Sequence, residues 1–304
     1  MRFVTQAFCL AIALAALGAG TAAAQALNQR STVQPQIAAG GTIANTDAID
    51  TVWAGHAAGF DIVTTPQRIY VAYYDANRQL TVAMRSRSNR ATWLYQKLDT
   101  WVGWDSHNYV AIAADSEGRL HVAGNMHNDP LTYFRTEPGG DVRTLKRVAS
   151  LVDAKIERSM TYPVFLKDGA GRLILKYRDG GSGKGNEIDK GDDARADRWS
   201  AVLNVPLVDG EGHRNAEFVG PVLGPDKAFH ITWVWRDTPD ASTNHDLSYA
   251  KSVDLVHWTR SDGTPIALPI TLAKAEVVDA VPVKAGMLNN NTVLGFDAAG
   301  RPMI

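Results

Sequence analysis

The sequence predicts an all-β fold, a β-propeller of four-stranded blades that is incomplete at its C-terminus. Three observations carry that expectation. A phrase recurs along the chain: Gln67-Arg68-Ile69-Tyr70-Val71-Ala72-Tyr73-Tyr74, then Gly118-Arg119-Leu120-His121-Val122-Ala123-Gly124-Asn125, then Gly171-Arg172-Leu173-Ile174-Leu175-Lys176-Tyr177-Arg178. A degenerate copy runs from Lys227 to Arg236, and the last residues, Gly300-Arg301-Pro302-Met303-Ile304, begin another. From Arg68 to Arg119, Arg172, Ala228 and Arg301 the successive steps are 51, 53, 56 and 73 residues, the tandem period expected of propeller blades. Each repeat resolves into β-rich runs divided by turn residues, and no amphipathic helical period shows beyond the N-terminal segment.

Residues 1–24 read as a signal peptide. Arg2 supplies the positive start, residues 7–17 an apolar run too short to span a bilayer, and Ala22-Ala23-Ala24 a small-residue cleavage site before Gln25. The single cysteine, Cys9, lies in that segment, so the mature chain has no thiol, disulfide or cysteine-ligated zinc. Its position does not match that of a lipid-modified cysteine. A periplasmic or secreted protein, with no membrane attachment after cleavage, is the expectation. About 280 residues remain, enough for one large all-β domain or two smaller ones. A net charge of −1 without long runs of one sign argues against nucleic acid as a partner.

Residues 25–50 are rich in Ala, Gln, Thr and Gly and predict a flexible lead or an outer strand. The propeller domain spans residues 51–304, about four and a half blades. Its first unit offers strands over 60–64, 69–74, 80–85 and 92–98, separated by Pro66, Asp75-Ala76-Asn77 and Ser88-Asn89. The second offers 109–113, 120–124, 131–135 and 144–148. The third has 163–166, 173–177, a third strand without an assigned position, and 199–203, with the polar stretch 180–197 read as a long loop. The fourth has 219–223, 228–235, 247–251 and 256–260, and a fifth starts near Thr292. Asp297-Ala298-Ala299-Gly300 matches the turn between first and second strands, so the expectation is a fragment of a longer ring.

In such a blade the start of the first strand lies beside the end of the second, so each unit delivers two segments to one rim. These are His56 with Tyr74 and Asp75; His107, Asn108 and Tyr109 with Asn125 and His127; Tyr162 with Arg178 and Asp179; and Arg236 with Asp237 and nearby His245. His121, His230 and His257 fall within or beside strands and read as structural. A glycosidase normally needs two carboxyl groups across the scissile bond, whereas this rim is richer in His, Tyr, Asn and Arg. β-Elimination next to a uronic acid needs cationic or amide groups on the carboxylate, a base for the C5 proton and an acid for the departing O4. The rim fits that recipe better.

The segments Val52-Trp53-Ala54-Gly55-His56, Gly103-Trp104-Asp105-Ser106-His107-Asn108-Tyr109, Gly124-Asn125-Met126-His127, Thr161-Tyr162-Pro163, Tyr177-Arg178-Asp179-Gly180-Gly181-Ser182-Gly183 and Trp235-Arg236-Asp237-Thr238-Pro239 resemble the BNR-repeat-containing propeller family. That family includes ulvan lyases and lyases of rhamnose-glucuronate linkages, whose propellers usually have seven blades. The resemblance implies carboxylate neutralisation by Arg178 with Asn108 or His107, and His127 or Tyr162 as base and acid. Asn125, His56, Arg236 and His245 join the list as substrate-binding candidates from the rim. An acidic polysaccharide is the implied partner. No cofactor or catalytic metal is expected, and a structural calcium or zinc stays open, with His127, Asn125 and Asp129 or His245 and Asp246 as ligands.

The chain departs from the family in two places: alanines follow His56, and the loop 184–197 has little strand character. The nearest match to the Asp-box that gives the family its name, Ser252-Val253-Asp254-Leu255-Val256-His257-Trp258, is one residue short and lacks the glycine. Two further readings remain at this level. A propeller glycoside hydrolase would draw on Asp75, Asp179 and Asp237, and a non-catalytic propeller would bind carbohydrate without turnover.

Overall fold

The recurring phrase is the second half of a hairpin whose turn is built by one aspartate. In the computed structural model, which describes residues 46–88, 92–193, 198–287 and 294–304, Oδ1 of Asp115 accepts from the N–H groups of Glu117 and Arg119. Asp168 does the same for Ala170 and Arg172, and Asp297 for Ala299 and Arg301. The glycine before each arginine, Gly118, Gly171 or Gly300, has φ of +74, +79 or +77°, a conformation that glycine adopts at little cost. Each arginine then pairs with its own aspartate. In the degenerate fourth copy Lys227 takes the left-handed position at φ +64°.

Strands β1 (Asp61–Thr64), β2 (Arg68–Tyr74), β3 (Gln79–Ser86) and β4 (Leu94–Trp101) form the first antiparallel sheet in that order. The second sheet contains β5 (Val110–Ala114), β6 (Leu120–Gly124), β8 (Tyr133–Arg135) and β9 (Lys146–Arg147). Between β6 and β8 a short strand, β7 (His127–Asp129), leaves this sheet and pairs with β10 (Met160–Lys167) of the third. The third sheet continues through β11 (Leu173–Gly181), β12 (Lys184–Asp193) and β13 (Arg198–Ala201). β14 (Asn215–Leu223), β15 (Phe229–Arg236), β16 (Asn244–Ser252) and β17 (Trp258–Thr259) form the fourth, to which β18 (Glu276–Asp279) adds on β16. β19 (Gly295–Phe296) and β20 (Pro302–Met303) form a short fifth hairpin.

Apolar side chains on facing sheets make the core. Tyr70, Ala72, Leu80 and Val82 pack on Val110, Ile112, Leu120 and Val122 between the first two sheets. Ala123, Met126 and Tyr133 meet Leu173, Leu175, Tyr177 and Trp199 between the second and third. Ile174 joins Phe229, Ile231, Trp233, Trp235 and Trp258 between the third and fourth. Strand β5 lies between β1 and β10, so the first strands of successive sheets are neighbours. This is the blade arrangement of a β-propeller, and Ile49–Ile304 forms one compact unit.

Two sequence expectations change. The stretch 180–197 is not a long loop: β11 continues to Gly181 and turns into β12, paired from Gly181↔Lys184 to Ile174↔Gly191. Ladder hydrogen bonds can hold a strand whose composition carries no apolar alternation. The outer run at 144–148 shrinks to β9, because Asp141 caps a 3-10 turn over Val142–Thr144. The long last step of the repeat is explained by the excursion after β17, which includes β18 and the Val208↔Ile270 bridge. The imperfect Asp-box is a turn between β16 and β17: Ser252 Oγ accepts from Leu255 N–H, and Leu255, at φ +65°, substitutes for the missing glycine. The signal segment 1–24, the lead as far as residue 45 and the fifth-unit start near Thr292 lie outside the described residues.

Candidate functional site

Strand β7 brings His127 opposite Thr161 of β10. The Thr161 hydroxyl accepts from Asn128 N–H at 2.7 Å, and the Asp129 carboxylate accepts from His127 N–H at 3.0 Å. Immediately after Thr161 the β10 ladder shifts register, and Tyr162 sits in this bulge at φ +55°. A bulky residue seldom adopts that conformation, and surrounding structure must hold it there. Its ring stacks at 5.7 Å from His127, whose imidazole stacks at 4.4 Å on His107. Tyr109 lies parallel to Tyr162 at 6.3 Å and donates its hydroxyl to the Pro163 carbonyl at 3.2 Å.

Asp105 joins the two histidines. Its Oδ1 is 2.5 Å from His107 Nδ1 and its Oδ2 is 2.5 Å from His127 Nδ1. Burial opposes its charge, but bonds from the His107 N–H and from the His127 and His107 imidazoles hold its pKa down at about 2. An ionised carboxylate only accepts hydrogen bonds, so both Nδ1 atoms carry hydrogen and each Nε2 is left with a lone pair when the ring is neutral. The arrangement orients two bases with one anion.

Beneath Tyr162 lies a buried ionic layer. The Arg178 guanidinium is 4.9 Å from the Tyr162 ring centre. Glu217 accepts from Nη1 of Arg178 and Nη1 of Arg236, both at 3.3 Å, and from the Asn215 amide at 3.1 Å. Two guanidiniums against one carboxylate leave one net positive charge. Nη2 of Arg178 is buried and has no hydrogen-bond partner among the described residues. Burial raises the pKa of the Tyr162 phenol, Glu217 raises it further, and Arg178 opposes without reversing the shift. Tyr162 therefore holds its proton strongly. A cavity of about 630 Å³ adjoins Tyr162 and Glu217, lined in part also by Ala57, His107, Tyr109 and Lys176.

The structure brings together His107, His127, Tyr162 and Arg178 from the list of sequence candidates. The other candidates are braced by their surroundings. Asn108 accepts the Tyr74 hydroxyl on its backbone carbonyl at 2.7 Å, while its Oδ1 is buried without a partner among the described residues. Asn125 directs its amide back to Thr100 and the Trp101 carbonyl at 2.7 and 3.0 Å. His56 Nε2 faces the Gly103 carbonyl at 3.1 Å. Arg236 also donates to the carbonyls of Thr238 and Pro239. His245 lies between Asp237 and Asp246, at 3.2 and 3.0 Å.

His121 and His230 are buried against Tyr133 and Tyr249, as their strand positions suggested. Among the acids considered for hydrolysis, Asp75 is committed to the β2–β3 turn and Lys97, and Asp237 to Arg214 and His245.

Two acidic residues were absent from the sequence candidates. Asp105 stands in the sequence only as a member of the Gly103–Tyr109 segment, because the approach of His127 to it depends on β7 changing sheets. Glu217 fell before the expected strand start at 219, whereas β14 begins at Asn215 and carries it into the interior. Ligand atoms of Asp105, His107 and His127 lie within 4.8 Å of one another and could hold a metal ion. They are the same groups that bond each other through Asp105.

The family described as BNR repeat-containing family member matches residues 68–304. No curated protein matches by sequence. Among solved structures, polysaccharide lyase Uly1 superposes with a TM-score of 0.59 at 16% identity, covering 82% of this chain and 62% of the lyase. A PL25 ulvan lyase gives 0.58 at 14%, covering 83% and 64%. A PL25 ulvan lyase bound to -[GlcA(1-4)Rha3S]- gives a TM-score of 0.57 at 13% identity, with coverage of 83% and 64%. The chain thus spans less than two thirds of the length of these lyases. At such identities the likeness establishes the propeller fold.

Proposed function

Since the chain belongs to the BNR repeat-containing family, we propose that it is an exported polysaccharide lyase, periplasmic or secreted, that cleaves a uronic-acid-containing glycan by β-elimination. The observation that carries this reading is the single carboxylate of Asp105 between His107 and His127, with Tyr162 stacked on His127 above Arg178. Likeness of fold to PL25 ulvan lyase structures, one of them with -[GlcA(1-4)Rha3S]- bound, supports an acidic polysaccharide of glucuronate and rhamnose as the substrate class. No helix among the described residues is long and apolar enough to cross a membrane.

In this reading Nε2 of His127 removes the C5 proton of the uronate. The electron pair of that C–H bond becomes the C4–C5 double bond, the C4–O4 bond breaks, and O4 takes the Tyr162 hydroxyl proton. His127 is left as imidazolium and Tyr162 as phenolate, and proton exchange with water restores both. Negative charge grows on the uronate carboxyl as C5 is deprotonated. The net positive charge of the Arg178–Glu217–Arg236 layer stabilises it. The raised pKa of Tyr162 suits an acid that must reach the transition state protonated.

Incubation with ulvan or rhamnose-glucuronate glycans, followed by ultraviolet absorbance of the unsaturated uronate, tests the reading. A rise that Tyr162→Phe and His127→Ala abolish supports it. Reducing sugar without that absorbance would mean hydrolysis, and binding without either product would mean a non-catalytic propeller.

A further inference from the structure

We infer that Trp104, with Trp53 behind it, is a stacking subsite for a pyranose ring flanking the reacting uronate; this rests on the lyase reading above. Trp104 is 77% exposed, an unusual state for an indole. It does not hang free. Trp53 meets it edge to face at 5.3 Å, His56 packs on Trp53 at 4.5 Å, and Arg78 lies over the Trp53 ring at 5.9 Å. His56 in turn faces the Gly103 carbonyl, next to Trp104 itself. A large apolar ring is thus held by its edge and backbone while most of it remains open to water.

Its position gives the occupant. Two chain segments bear the indoles, and the same two reach the cavity of the candidate site: Trp53 is followed by Ala57, and Trp104 by Ser106 and His107, all three cavity-lining residues. Asp105, which orients both histidines, is the next residue after Trp104. The backbone of Trp104 is two residues, at most about 7 Å, from that of Ser106 on the cavity wall. A glycan threaded through the cavity passes beside it. Sugar rings present a face of C–H groups with partial positive charge, which complements the negative face of an indole. The braced ring offers that contact with little entropy to lose on binding. Trp104 therefore recognises the chain beyond the reacting sugar and favours longer oligosaccharides over short ones.

The test compares wild type with Trp104→Ala, Trp104→Phe and Val253→Ala, the last an equally exposed apolar residue in the β16–β17 turn. Binding of glucuronate-rhamnose oligosaccharides of increasing length is measured by calorimetry, and unsaturated product is followed separately. Trp104→Ala is expected to weaken binding of the longer oligosaccharides about tenfold, to act less on a disaccharide, and to be partly rescued by Trp104→Phe. Val253→Ala should bind as wild type does. Equal affinity of Trp104→Ala and wild type for long oligosaccharides overturns the subsite. So does a loss of thermal stability in Trp104→Ala as large as the binding loss, which would make the indole a packing residue. Trp104-dependent binding without unsaturated product would instead uphold the subsite and reject the lyase reading.

Discussion

Asp105 Oδ2 lies 2.5 Å from Nδ1 of His127, although the two residues belong to different chain excursions and His127 is on a strand that has joined the next blade. The same carboxylate holds His107. One anion therefore sets the hydrogen positions of both imidazoles and leaves their Nε2 atoms for a substrate.

Replacing Asp105 with Asn removes that control, because an amide can donate to Nδ1 as well as accept from it. The expected result is a fall in kcat of about 10²–10⁴ with little change in fold. Circular dichroism alongside unsaturated-product assays checks it. Activity within a few-fold of wild type would refute the orienting role.

Tyr162→Phe keeps the ring stack and removes only the acid. It should lower kcat by about 10²–10⁴ while the protein melts as wild type does. The raised phenol pKa also has a sign for stability: the folded state favours the neutral form. Its contribution is complete below the unfolded value of about 10 and is lost as pH rises through the folded value. Alkaline denaturation followed in wild type and Tyr162→Phe should therefore differ only above about pH 10.

Acid acts through carboxylates. Asp105 is held down at about 2, and Asp115 and Asp226 are also lowered, each by bonds from a histidine that outweigh the cost of burial. Groups lowered in the folded state stabilise it above their unfolded value of about 4, and that contribution disappears as pH falls through the folded value. Urea midpoints are expected to be insensitive to these groups at neutral pH and to decline between about pH 4 and pH 2. A midpoint unchanged down to pH 2 would remove these pairs from the account of stability.

Glu217 is 2% exposed between two guanidiniums. Glu217→Ala leaves two buried like charges without their partner, which costs about 3–5 kcal/mol. For a domain of this size that lowers Tm by roughly 10 °C. Calorimetry or a thermal melt measures it, and a variant as stable as wild type would show the layer to be solvated.

Chelation separates the orienting role of Asp105 from metal ligation. If the carboxylate serves the two Nδ1 atoms, EDTA leaves lyase activity unchanged. Loss of activity in EDTA that zinc or calcium restores would assign Asp105, His107 and His127 to a metal instead.

The periodic turn Asp-x-x-Gly-Arg was legible in the sequence because its hydrogen bonds are local: each aspartate serves N–H groups two and four residues away. For the same reason the blades, their inner hairpins and the rim positions of His107, Tyr162 and Arg178 could be read from spacing. The outer strands were less legible. β12 is polar, and its pairing is specified by backbone ladder bonds with β11 rather than by an apolar pattern.

By itself, the sequence determined the repeat, the all-β character and the residue types offered at the rim, since turn chemistry and strand pattern act over a few neighbours. Only the tertiary structure decided which of them meet. The transfer of β7 to the third sheet places His127 by Tyr162 and within reach of Asp105, and the early start of β14 carries Glu217 beneath Arg178. Both outcomes depend on hydrogen bonds and charge pairs between segments distant in the chain, whose partners no local pattern encodes.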